Sequence, residues 1–281
     1  MPVAAAQARP CPNSRTTRGG YVSHVELRAG AGPLRVGHRG AAAVEPENTL
    51  RSLARAVELG CDLVEFDVLE LEDGTLVLAH SDDLLEVSHG AAGGRVRGQS
   101  LAALRELAPE LPTLDEALEQ VRSGETVGVQ VDLKGSGFEE RVAATIRRHG
   151  LVDRSVVSTF HVPSLQRLAR YEPAIPRGLT YPVDRRGLSQ RRLLFPAAVG
   201  IAASLRRALP RRIAGLLARA RASAAMLHYS VVSPAAVDRA HAHGAAVFVW
   251  TVDDEPLLDR MLTAGVDAVI TNDPRIFDRG G

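Results

Sequence analysis

Lysine is almost missing from this 281-residue chain: of 34 basic residues, 33 are arginine and only Lys134 is lysine. Cysteine is nearly as scarce. Two cysteines, Cys11 and Cys61, do not make a disulfide framework, and the pattern points to a reducing compartment. Long apolar runs are lacking too. The longest, Leu193 to Leu205, contains Pro196 and falls short of the roughly 20 residues that span a bilayer. Residues 1–33 have no continuous apolar core of the secretory kind, so no signal peptide is expected and the reading is cytoplasmic. Rich in Ala, Arg, Pro, Gly, Ser and Thr without periodicity, they read as a disordered leader. Nor is there an excess of charge. A net charge of +1 removes the basic surplus that a nucleic-acid partner requires.

What is present from Leu34 onward is alternation. Short β-branched runs at 34–38, 62–69, 127–134, 155–160, 176–181, 225–230, 246–252 and 267–271 are separated by amphipathic stretches. Leu50, Leu53, Ala54 and Val57 follow the i, i+3, i+4, i+7 helical spacing. Thr113 with Glu116 predicts a capping box, and Ser233-Pro234 an N-cap followed by proline at the first helical position. Eight strand–helix units predict one α/β domain over 34–281, a (β/α)8 TIM barrel. The rival, an open doubly wound sheet, usually carries a Gly-rich phosphate turn after its first strand; here that position reads Gly37-His38-Arg39-Gly40.

A ninth run, 75–80, follows Asp73-Gly74, a two-residue hairpin signal. The second barrel strand is therefore expected to extend above the barrel and fold back as a small β-hairpin. With Asp73-Gly74 as the whole loop, Asp67 falls opposite His80. A basic segment after the fifth strand, 185–222, holds ten arginines and no acidic residue among apolar ones. It reads as a helical insertion, either a plain cap on the barrel or a peripheral membrane contact through 185–222.

In such barrels the working residues sit at the C-terminal ends of strands. Those positions here carry His38, Arg39, Glu47, Glu65, Asp67, His80, Asp132, Lys134 and Trp250. Glu65 and Asp67 are two apart on a strand and share a face, as do Asp132 and Lys134. Carboxylates crowded at one mouth repel unless a cation sits among them. Hard oxygen donors without cysteine suit Mg²⁺ or Ca²⁺ rather than zinc. Phosphodiester cleavage needs charge neutralisation on the phosphate, a base for the attacking hydroxyl and an acid for the leaving alkoxide, and two histidines with one arginine and one lysine match that need. Asn48 reads equally as an N-cap or a substrate contact, Thr271 to Asp273 as a cap, Trp250 as a core residue or a wall for the alcohol, and His228 as a further candidate.

His38-Arg39-Gly40, Pro46-Glu47-Asn48-Thr49, Glu65-x-Asp67, Asp73-Gly74 with His80, Asp132-x-Lys134, Trp250-Thr251-Val252 and Gly265-Val266-Asp267 with Thr271 resemble glycerophosphodiester phosphodiesterase motifs in the family's order. The resemblance covers about residues 34–276. It implies that Glu65, Asp67 and Asp132 hold the metal and that His38 and His80 act as general acid and base. It implies further that Arg39 and Lys134 bind phosphate, with Glu47 near the metal or Arg39. Two positions depart from the family: Asp132 stands where Glu is usual, and Ser81 where Asp usually follows the second histidine. The expected reaction is metal-dependent hydrolysis of a glycerophosphodiester to an alcohol and glycerol 3-phosphate. The alternatives are lysophospholipase D-like cleavage of a lysophospholipid and a non-catalytic phosphoester-binding barrel.

Overall fold

The computed structural model describes Leu27 and residues 32–88, 90–123, 126–183 and 195–278. The expected leader up to residue 26, with 28–31, and residues 185–194 of the basic segment lie outside these. The alternating runs fold as strand then helix: β1 (Leu34–Gly37), α1 (Leu50–Glu58), β2 (Leu63–Glu70), β3 (Leu76–Leu78), α2 (Leu84–Val87), α3 (Leu101–Leu107) and α4 (Leu114–Arg122). They continue as β4 (Gly128–Leu133), α5 (Glu139–Arg148), β5 (Ser155–Thr159), α6 (Val162–Tyr171), β6 (Arg177–Tyr181), α7 (Phe195–Ala220), β7 (Ala224–His228), α8 (Pro234–Ala242), β8 (Ala246–Trp250), α9 (Glu255–Thr263) and β9 (Ala268–Thr271). The strand order β1-β9-β8-β7-β6-β5-β4-β2, closed by β1 on β2, is the expected parallel barrel. Both predicted caps form: Thr113 with Glu116 as a full capping box, and Ser233 ahead of Pro234.

Successive residues of a strand face opposite ways, and here the two faces meet two cores. Outward side chains such as Val64, Phe66 and Val131 pack under α1, α4 and α5. Inward ones such as Leu34, Val36, Leu63, Val156, Met226, Phe248 and Ile270 plug the barrel. Further along, β2 and β4 turn polar on the same inner face. Glu65 lies level with Gln130 and Asp67 with Asp132, in register across the two strands. The apolar plug thus carries a polar layer at the strands' C-terminal ends.

The hairpin after β2 is present, but its register differs from the expectation by one residue. Val68 pairs with Leu78 and Leu69 with Val77, so Asp67 faces Ala79 and not His80. The loop has three residues, Glu72 to Gly74, because the Gly74 N–H closes a turn onto the Leu71 carbonyl (3.0 Å). Gly74 then takes φ +86°, the left-handed residue that three-residue hairpins require.

The helix expected in the basic segment is α7, 26 residues long. Leu209, Ile213, Leu217 and Ala220 form its buried stripe against α8 and α6, so its second half serves as a ring helix of the barrel. Its earlier turns, with Val199 and Ile201 exposed, reach beyond that packing. Ring helices start at the strands' C-terminal ends, so these turns stand on the rim that carries the polar layer. Among the described residues no helix is long and apolar enough to cross a membrane.

Candidate active site

The β1–α1 turn is built on two left-handed residues. Arg39 has φ +51° and Gly40 φ +87°. A Cβ on Gly40 would lie 2.4 Å from the Ser52 backbone carbonyl carbon, so only glycine fits against α1. Arg39, held in a conformation that costs a non-glycine residue about 1–3 kcal/mol, turns its N–H onto Glu65 Oε2 (2.8 Å). Its guanidinium reaches Glu47 Oε1 (2.7 Å) and Asp67 Oδ2 (3.0 Å). Of the alternatives for Glu47, the structure places it on Arg39.

Seven of the nine predicted residues, His38, Arg39, Glu65, His80, Asp132, Lys134 and Trp250, line one pocket of about 200 Å³. Asp67 lies just beneath, fully buried, and Glu47 lines the adjoining cavity beside His80. Trp250 forms a wall; its indole N–H is spent on the Met226 carbonyl (3.0 Å), and Phe160 meets it edge to face. His228 stays out of the pocket lining, packed against Trp250 and Tyr229 with Nδ1 on Ser230.

The sole lysine bridges two acids. Lys134 Nζ is 2.6 Å from Asp132 and 2.8 Å from Asp67. Burial opposes its charge, yet those two carboxylates raise its pKa above the ordinary lysine value. Asp67 is held below the carboxylate range despite its burial, by Lys134 and Arg39. Glu65 has the opposite fate. Burial, then the charges of Asp67 and Asp132, push it well above the ordinary range. Three buried carboxylates thus face two cations, and Glu65, the one without a cation of its own, is driven to keep its proton. The Gln130 side-chain oxygen, level with Glu65, has no hydrogen-bond partner among the described residues.

That carboxyl without a counter-charge and the orphaned oxygen test whether a divalent cation fits. The donors are hard oxygens, a cation would displace the proton that Glu65 is driven to keep, and Ser158 fixes the Gln130 amide (3.2 Å) and Asp132 (2.5 Å). The residues suit Mg²⁺ or Ca²⁺. Among the described residues no three acidic, histidine or cysteine side chains are already gathered as ligands, because Lys134 holds the gap between Asp67 and Asp132.

Three side chains that read in the sequence as having other roles (Asn48 and Asn272) or none (Glu86) complete the site. Asn48, at φ +56°, is not the N-cap of α1; Thr49 is. Asn48 instead grips Asp67 twice, donating from Nδ2 to Oδ2 (3.0 Å) and accepting the Asp67 N–H (3.1 Å). Asn272 presents Oδ1 to His38 Nδ1 (2.7 Å), while its own amide N–H donates to Asp253 (2.7 Å). Glu86 reaches His80 Nδ1 (2.6 Å). Asp273 caps the last turn, as read, although that turn is 3-10 rather than α. Burial, then Arg39, lowers the His38 pKa and keeps the ring neutral near pH ~7.

The sequence matches the Glycerophosphoryl diester phosphodiesterase family over residues 38–276. A glycerophosphodiester phosphodiesterase of Caldanaerobacter subterraneus is 28% identical, with 86% of this chain and 94% of that protein covered. A probable glycerophosphodiester phosphodiesterase 1 of Mycobacterium tuberculosis is 31% identical, covering 86% and 90%. Among solved structures, an Oleispira antarctica phosphodiesterase in complex with the product sn-glycerol-3-phosphate is similar at TM-score 0.68 and 25% identity, covering 88% and 97%. The fold of a Silicibacter pomeroyi protein is similar at TM-score 0.71 and 23% identity, covering 89% and 93%. Matched over most of its length and closing the same barrel, the chain belongs to the glycerophosphoryl diester phosphodiesterase family and is a phosphoric diester hydrolase.

Proposed function

We propose that this hydrolase cleaves glycerophosphodiesters to an alcohol and glycerol 3-phosphate with His38 as base and His80 as acid, in a divalent-metal-dependent reaction. One observation carries the division of labour: the two rings face one pocket with different partners behind them. Asn272 Oδ1 can only accept, so His38 Nδ1 holds the hydrogen and Nε2 offers its lone pair to the pocket. A neutral ring in that tautomer takes a proton from the attacking water, whose oxygen ends on glycerol 3-phosphate. As the new P–O bond forms, the bond to the alcohol breaks and His80 Nε2 delivers a proton to the leaving oxygen. Arg39 and Lys134 lie along the same wall, where they meet the non-bridging phosphate oxygens. Trp250 and Phe160 give the carbon skeleton an apolar side.

Glu65, Asp67 and Asp132 are the residues that would hold the cation, with the Gln130 oxygen beside them. When bound, it neutralises phosphate charge and so lowers the cost of the developing negative charge. The test is glycerol 3-phosphate release from a glycerophosphodiester by purified protein, with excess chelator and after adding back Mg²⁺ or Ca²⁺. Loss with chelator and recovery with metal is expected; full activity in chelator refutes the metal assignment.

A second reading has its own observation. Helix α7 carries Val199 and Ile201 in the turns that stand on the active-site rim, and exposed Arg206, Arg207, Arg211 and Arg212 further along the same helix. Each arginine near an anionic membrane adds about 1 kcal/mol, which favours a peripheral contact and a lysophospholipid substrate. Co-sedimentation with anionic vesicles that vanishes on replacing these four arginines by glutamine supports it; no binding by the intact protein removes it.

A further inference from the structure

His80 arrives on the return of the hairpin, two residues past the last paired position of β3, and strand pairing alone does not fix its ring. The residues that follow supply what is missing. Asp83 N-caps α2 through the Leu85 N–H (3.0 Å), and Glu86 is the third residue of that turn. From there its carboxylate meets two donors at once, His80 Nδ1 at 2.6 Å and the Ser81 hydroxyl at 2.5 Å. The two other acids of this turn are committed elsewhere, as Glu47 is to Arg39. Asp82 takes Arg95 (2.7 Å) and the Arg97 N–H (2.8 Å), and Asp83 serves as the cap. Glu86 is therefore the carboxylate of this turn that is left to His80.

We propose that Glu86 is the positioning residue of His80: its carboxylate accepts the Nδ1 hydrogen and turns Nε2 into the pocket, while Ser81 locks the carboxylate in place. The role rests on the reading of His80 as proton donor. Burial opposes its charge, but Ser81 and His80 keep Glu86 below the ordinary glutamate value, so it is an acceptor only. A carboxylate behind an imidazole fixes tautomer and orientation without itself taking the proton. Glu86 also lies 4.0 Å from Arg39 Nη1, so a competing role as counter-ion to a phosphate-binding arginine has to be told apart.

Leaving-group chemistry separates these roles. A general acid matters for an alkoxide and little for p-nitrophenolate, which leaves without a proton. Glu86→Gln, Glu86→Ala and Ser81→Ala are compared with wild type on a glycerophosphodiester with an alkyl alcohol and on a p-nitrophenyl diester. The expected result for Glu86→Ala is a kcat loss of about 10- to 100-fold on the alkyl diester, under about 3-fold on the nitrophenyl diester, and KM within about 2-fold on both. Glu86→Gln, near-isosteric and still able to accept from Nδ1, guards against a folding artefact and should fall between, with Ser81→Ala milder. Equal losses on both substrates make Glu86 merely structural and overturn the proposal. A raised KM with normal kcat assigns it to Arg39 and overturns it too. His80→Ala is run alongside: inactive on the alkyl diester while Glu86→Ala is normal, it sinks only the Glu86 role, whereas normal turnover by His80→Ala sinks the reading of His80 itself.

Discussion

Replacing Asn48 by aspartate changes one atom of real consequence. Asn48 Nδ2 donates to Asp67 Oδ2 across 3.0 Å in the buried floor of the site. In Asn48→Asp an acceptor replaces that donor, and two carboxylates share the space. At that distance two charges repel by about 5–6 kcal/mol at an effective dielectric of about 20. The protein escapes by keeping one proton on the pair. From an ordinary aspartate value of about 4, holding that proton costs about 5 kcal/mol at pH ~7.5 and about 1.5 at pH ~5. Arg39 and Lys134 nearby offset part of the repulsion. The stability gap between variant and wild type should therefore narrow by about 2–3 kcal/mol from pH ~7.5 to pH ~5. The sign follows from proton binding: the folded variant carries a proton that its unfolded chain has released, so it gains stability as pH falls. Wild-type Asp67 is held below its usual range, so its contribution is lost only on stronger acidification. Urea unfolding at the two pH values measures the gap, with Asn48→Ala as the control that adds no titrating group. A gap that stays constant across the two pH values refutes the claim that the Asn48 amide donates to an ionised Asp67.

Three further predictions follow the same geometry. Asn272→Leu frees the His38 tautomer and should lower kcat by about 10-fold or more with a smaller change in KM, read by steady-state kinetics. Asp132→Ala should weaken Mg²⁺ or Ca²⁺ binding by about 10-fold or more in calorimetry while circular dichroism stays unchanged; unaltered affinity would move the cation away from β4. Glu139, buried under the Arg167 fork, has its pKa lowered from 4.5 to about 2 despite its burial, chiefly by Arg167 and Ser164. Its stabilisation is complete above pH ~4.5 and lost as pH falls towards ~2. With Arg167 a third exposed, its worth is about 1–3 kcal/mol, and a Glu139→Gln variant should lack that acid-dependent loss in denaturant titrations.

Periodicity made the barrel legible. The eight strands fall within two residues of their expected bounds, because buried parallel strands are β-branched runs and their helices carry apolar stripes. The hairpin was legible in kind and misplaced by one residue, since Asp73-Gly74 serves equally a two-residue loop and the end of a three-residue one. Residues at strand ends were legible by position, which gathers His38, Arg39, Glu65, His80, Asp132, Lys134 and Trp250 in one pocket. Their supports were not. Asn272 lies 234 positions from His38, and neither carries a local signal of the other. Asn48 sits where an N-cap is plausible, and only its contact with Asp67, 19 positions on, separates the roles. Glu86 had only an indirect sequence clue, Ser81 after His80, which leaves open what orients the ring and does not point to residue 86.

The central claim is that two histidines with different partners divide the two proton transfers of one displacement. Its most direct test is turnover of an alkyl glycerophosphodiester by wild type, His38→Ala and His80→Ala at saturating divalent cation, with cation affinity measured on each. Each variant should lose about 100-fold or more in kcat, the usual worth of general acid–base catalysis, while binding the cation as wild type does. Near-normal turnover by either variant, or loss explained by cation release, would contradict the account.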